Sequence, residues 1–134
     1  VEAGTGGTGD HLDAVTNVLL RRYREVAAEM APYRQRTVFE AHPELSFFQI
    51  NGDVPLRWSK KFEAGMEERN ALLRKRVPGI ERVLEAELDD VPVSHLLDVA
   101  AMLWTARRIF AHAGTRLPSD PEWDEQGLRM EFVR

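Results

Sequence analysis

Glu40, His42 and Glu44 put two carboxylates and an imidazole into one five-residue stretch, Glu40-Ala41-His42-Pro43-Glu44. Carboxylates are hard oxygen donors, and an imidazole can orient a carboxylate or meet a phosphate. A third acid, Asp98, stands inside a long apolar segment. A lone carboxylate there is costly unless it is paired, metal-bound or at an edge. Its neighbours at helical spacing are His95, Met102 and Thr105, a modest polar stripe. The plain alternatives are a strand tip with solvated polar residues around Glu40–Glu44, and an Asp98 stabilised by the positive end of its helix. Carboxylates converging from a strand tip and a helix suit Mg²⁺ or Mn²⁺, ions that take oxygen ligands. Two such ions stabilise the attacking and leaving oxygens of a phosphodiester.

Other chemistries find less support. The chain has no cysteine, which removes disulfides and thiolate metal sites. His42-Pro43-Glu44 has the H-x-E spacing of zinc deaminases without their cysteine pair. Ser94, His95 and Asp98 are triad letters on one helix with no G-x-S-x-G elbow. Four histidines without repeated spacing make a weak zinc set. Gly4–Gly9 satisfies G-x-G-x-x-G, but Val1-Glu2-Ala3 is hardly the strand that a dinucleotide fingerprint needs. Residues 1–9 therefore read as a flexible Gly-rich lead, and 10–134 as a single domain.

These residues need elements to position them. Asp10 can cap a helix whose apolar stripe is Leu12, Val15, Leu19, Tyr23, Val26 and Met30, with Arg21, Arg22 and Arg24 largely off it. Thr37–Ala41 is β-prone and predicts a strand ended by Pro43, with Glu40 and His42 on one face and Glu44 just beyond its tip. Leu45–Ile50 is too apolar for a loop and predicts a short buried helix, closed by the turn Asn51-Gly52-Asp53. Pro55–Trp58 is ambiguous. Phe62, Met66, Leu72, Leu73 and Val77 support a helix to about Arg76, whose terminal Arg74-Lys75-Arg76 complements the helix dipole. A short helix over Ile80–Leu88 follows Pro78-Gly79. The longest helix spans about Val93–His112, apolar nearly all round and hence central and buried. After an irregular crossing at Leu117–Asp124, Leu128–Val133 alternates enough for a closing strand.

The formal net charge of −4 argues against coating nucleic acid by bulk charge, while local basic patches stay open. No apolar run approaches the roughly 20 residues of a membrane span, and there is no signal-peptide core. The expectation is a cytoplasmic protein without membrane partners. Because Val1 stands where an initiator Met would, a fragment or processed chain is expected.

Several spaced segments carry a resemblance. Phe39-Glu40-Ala41-His42-Pro43-Glu44-Leu45-Ser46-Phe47 is followed by Asn51-Gly52, Pro55-Leu56 and Ser59-Lys60-Lys61. Then come Glu68-Arg69 with Leu72-Leu73-Arg74, Leu97-Asp98-Val99-Ala100-Ala101 with Trp104-Thr105-Ala106-Arg107-Arg108, Leu117-Pro118, and Gly127–Glu131. In this order they resemble a bacterial and archaeal family of predicted RNase H-like nucleases, domain of unknown function 429, over roughly Arg34 to the C-terminus. The resemblance implies an α/β RNase H-like fold and Mg²⁺- or Mn²⁺-dependent phosphodiester hydrolysis. It makes Glu44 and Asp98 metal ligands and catalytic residues, with Glu40 a weaker catalytic candidate. It makes His42, Lys60, Lys61 and Arg69 substrate contacts; the bland alternative for these is an exposed or structural role.

The family's two opening acidic strands are not found, and Asp10 and Asp13 sit in or beside a predicted helix. The expected architecture is thus a C-terminal portion of that fold, helix-rich with few strands around a long central buried helix. Nucleic acid is the partner this implies, together with a second copy or a complementing N-terminal portion. The competing reading, motivated by the missing strands, is a non-catalytic interaction domain that oligomerises.

Overall fold

A computed structural model describes residues 14–85 and 90–134. The expected Gly-rich lead, the Asp10 cap and the end of the Ile80–Leu88 helix lie wholly or partly outside these residues. Helix α1 (Ala14–Glu29) is followed by a 3-10 turn, Pro32–Arg36, and then by α2 (Pro43–Ile50), α3 (Glu63–Arg76), α4 (Glu81–Leu84) and α5 (Val93–Phe110). Strands β1 (Arg116–Leu117) and β2 (Phe132–Val133) close the chain as an antiparallel pair, Arg116 opposite Val133 and Leu117 opposite Phe132. The described chain is thus helix-rich with one two-stranded sheet. No helix among the described residues is long and apolar enough to cross a membrane.

The core forms where three helical stripes meet. α5 buries Leu96, Leu97, Ala100, Ala101 and Thr105, spaced so that they share one side of a 3.6-residue helix. α2 buries Ser46, Phe47 and Ile50, and α3 buries Gly65, Arg69 and Leu73, each four residues after the last. Val77 and Ile80 complete the cluster, and α5 packs against α2, α3 and α4. Two alanines at the centre of α5 let its neighbours approach closely. Where α2 meets α5, the Ser46 and Thr105 hydroxyls bond to each other at 2.7 Å, answering two polar groups that are both essentially inaccessible.

α5 is central, as expected, but it is not buried all round. Val93, Val99 and Leu103 are exposed, and Phe110 is 89% exposed. α1 departs further from expectation, since none of its residues is buried. Val15, Leu19, Tyr23 and Val26 of the apolar stripe are half-exposed or more, as is the neighbouring Val18. The predicted strand over Thr37–Ala41 is absent: residues 38–42 form no strand. Its side chains do alternate, with Phe39 and Ala41 half-buried and Glu40 and His42 exposed. Extended propensity becomes a strand only beside a partner, and here Val133 supplies one hydrogen bond, its N–H donating to the Glu40 carbonyl at 2.7 Å. The expected closing strand is likewise reduced to β2 and an isolated bridge between Trp123 and Arg129.

Gly65 positions the loop that matters below. A Cβ there would collide with the Ser59 carbonyl and stand 3.0 Å from the Trp58 carbonyl, so only glycine lets this loop lie against α3. Replacing Gly65 by Ala will lower the unfolding free energy by about 1–3 kcal/mol, the usual range for overpacking. Urea denaturation measures this, and an unchanged midpoint and slope would contradict the close approach.

Candidate functional site

The segment before α2 turns into the helix at His42, whose backbone is extended (φ −132°, ψ 130°). Its Nδ1 accepts the Glu44 N–H at 3.2 Å, an N-cap made by an imidazole. Pro43 holds the first helical position, where its missing N–H costs nothing. Glu44 therefore projects from the first turn of α2, where the helix dipole favours a negative charge. α3 supplies Arg69, α5 supplies Asp98, and the loop between α2 and α3 supplies Arg57, Trp58, Ser59, Lys60 and Lys61.

Two ion pairs tie these elements together. Arg69 Nη2 donates to Glu44 Oε2 at 2.7 Å, and Lys60 Nζ donates to Asp98 Oδ2 at 2.5 Å. Arg69 is 3% exposed. Its Nη1 donates to the carbonyls of Trp58 and Gly65, both at 2.9 Å, and its guanidinium lies over the Phe47 ring at 5.3 Å. From the other side, the Glu68 carboxylate accepts the backbone N–H groups of Arg57 and Trp58 at 3.0–3.1 Å. The loop is thus held by α3 through its carbonyl and its amide groups at once.

Glu44, Lys60, Lys61 and Arg69 share one groove of about 590 Å³, with Leu45, Phe48, Pro55, Leu56, Arg57, Trp58 and Ser59 completing its walls. Asp98 adjoins it through Lys60. The structure therefore gathers four of the seven sequence candidates in the groove and a fifth beside it. Glu40 is placed elsewhere: it lines a separate cavity with Phe39, Tyr23, Met30 and residues of the C-terminal segment. His42 caps α2 and does not line the groove. Arg69 is a buried clamp, so its charge is spent on protein partners. Sequence reasoning left Arg57 and Trp58 without a role and gave none to Glu68. The signal available was the proximity of Trp58 to Ser59-Lys60-Lys61.

Among the described residues no group of three or more histidine, aspartate and glutamate side chains is placed to hold an ion. Asp98 Oδ1 is nevertheless buried without a hydrogen-bond partner, while Oδ2 faces the Lys60 ammonium. The donors are hard oxygens of the type Mg²⁺ and Mn²⁺ take. They fit part of such a ligand set, with Lys60 and Arg69 now supplying the positive charge.

A family model described as "Protein of unknown function (DUF429)" matches residues 3–123. The match begins well before Arg34, so it includes α1, and it ends before Gly127–Glu131. No curated protein and no solved structure matches the chain.

Because Arg69 answers two carbonyls and a carboxylate while almost fully enclosed, Arg69→Met will cost roughly 2–4 kcal/mol of stability. Lys60→Met leaves the Asp98 carboxylate, 20% exposed, without its cation and will cost less, about 1–2 kcal/mol, because the lysine itself is 38% exposed. Equal losses in chemical denaturation would show that burial does not distinguish the two pairs.

Proposed function

The chain belongs to the DUF429 family of proteins of unknown function, and from that premise we propose that it contributes to metal-dependent hydrolysis of phosphodiester bonds. Asp98 and Glu44 would supply oxygen ligands to Mg²⁺ or Mn²⁺ as part of a set that a second copy or a complementing N-terminal portion fills out. The observation that carries this reading is the opening of two acid–base pairs, from chain segments far apart in sequence, onto or beside one groove lined by Arg57, Lys60 and Lys61. An RNase H-like ancestry accounts for the motif order, and Glu44, 41% exposed in its pair with the buried Arg69, stays accessible.

When bound, the ion supplies Lewis-acid stabilisation of charge on the phosphoryl oxygens. The chain's own residues do the rest. Arg57 and Lys61 are exposed and attract the anionic backbone. Arg69 fixes Glu44 and the Trp58 carbonyl of the loop, so the groove is organised before substrate arrives. Lys60 holds Asp98 in place, and with an ion on that carboxylate it would be free to meet a phosphate oxygen.

A second reading rests on a different observation. The exposed apolar residues of α1 suit a non-catalytic domain that assembles with a second copy or a complementing portion of the fold.

Mn²⁺ will raise the melting temperature of the full chain, and Asp98→Asn will diminish the rise, because an ion bound to the native state alone stabilises it by mass action. Lys60→Met will enlarge the rise by removing the competing cation. The same samples, given single-stranded and branched DNA and RNA, will show Mn²⁺-dependent cleavage that Asp98→Asn abolishes. A melting temperature indifferent to Mn²⁺, with no cleavage, leaves the interaction-domain reading in possession. Light scattering then tests that reading, since a strict monomer contradicts it.

A further inference from the structure

We propose that Trp58 is a stacking platform for an unpaired base, so that the groove takes single-stranded nucleic acid in preference to duplex. This deepens the phosphodiester reading of the groove and rests on it for the identity of the anion. Trp58 is 55% exposed, yet its backbone is pinned at both ends. Its N–H donates to Glu68 Oε2 at 3.1 Å, and its carbonyl accepts from Arg69 Nη1 at 2.9 Å. Gly65 admits the same carbonyl to within 3.0 Å of where a Cβ would sit. An exposed indole gains little from such anchoring for the fold itself. It gains a fixed place from which to meet a ligand.

The other two tryptophans sharpen the contrast. Trp104 carries the Arg108 guanidinium over its ring at 4.8 Å, and Trp123 carries that of Arg129 at 5.9 Å. Among the described residues no such cation covers Trp58. Its flanking cations, Arg57 and Lys61, have no ion-pair partner among the described residues, whereas Lys60 and Arg69 are paired. An aromatic face sharing a groove with two cations that are unpaired among the described residues, on a chain of net charge −4, matches a base with its neighbouring phosphates. Stacking on an aromatic side chain needs a base whose face is open, which a duplex does not offer in its interior. Cations that track the backbone add affinity independent of sequence.

The full chain, with EDTA present so that cleavage plays no part, is titrated into a fluorescein-labelled oligothymidylate of about ten nucleotides, a length within reach of such sites. The expected order is single strand tighter than the matched duplex. Trp58→Ala will weaken the single strand about 5- to 150-fold, the range for losing one stacked base. Trp58→Phe will restore part of the loss. Inorganic polyphosphate will bind wild type and Trp58→Ala alike, while Arg57→Ala and Lys61→Ala will weaken both ligands and flatten the salt dependence. Unchanged melting temperature in Trp58→Ala confirms that the exposed ring is not a folding element. Equal affinity of wild type and Trp58→Ala for the oligonucleotide, preference for duplex, or no binding overturns the platform. Mn²⁺-dependent cleavage that survives such a result leaves the hydrolase reading standing, and stacking without cleavage sinks the hydrolase reading alone.

Discussion

A guanidinium brings a full charge and five N–H donors into whatever encloses it, and burial obliges the fold to answer them. Arg69 is answered by the Trp58 and Gly65 carbonyls, by Glu44 at the start of α2, and by the face of Phe47 at the bottom of the core. Its Nε is left without a hydrogen-bond partner among the described residues. This one side chain joins α3 to α2 and to the loop between them. The stripe of α3 makes sense in these terms. Gly65 opens the space into which the loop carbonyls press, Arg69 one turn on receives one of them, and Leu73 one turn further anchors the helix in apolar packing.

The same constraint explains why the groove has a definite shape although its walls come mostly from a loop. Loops ordinarily carry function on the surface at the expense of order. Here Glu68 satisfies two loop amides and Arg69 one loop carbonyl, so the strand-like role of holding main chain falls to two adjacent side chains of a helix. At the far end of the chain a comparable arrangement recurs. The buried Glu131 carboxylate is met by Arg116 and Arg129, which fastens the small sheet beside the extended segment at Glu40.

The helices were legible because their signals are local. The apolar run through Phe47 and Ile50 and the three basic residues closing α3 each act within a turn or two of the chain, although Pro43, read as the end of a strand, opens α2 instead. The site was named in part through the resemblance, which pointed to Glu44 at the start of α2 and to Lys60 and Lys61 in the loop that follows it. What could not be read is which charges would meet. Asp98 finds Lys60 across 38 residues, and Arg69 finds Glu44 across 25. No local pattern marks Arg69 as buried while Arg74 two positions short of the helix end stays exposed. Glu40 and Glu44 read as companions because they are four residues apart. Yet the chain turns at His42, and the C-terminal segment draws Glu40 into a different cavity. The strand expected at Thr37–Ala41 failed because β-propensity describes a fit to neighbouring strands, and β2 reaches this segment with a single bond.

α1 carries a thermodynamic consequence of its own. A helix of 16 residues that buries none of them draws little on tertiary packing, which is where most helical stability in proteins comes from. Its free energy of opening must therefore sit far below that of α2, α3 and α5, whose stripes share one core. Amide protons along α1 will then exchange through subglobal opening while those of α5 wait for the whole molecule. Two cooperative units, not one, set how this chain loses its structure.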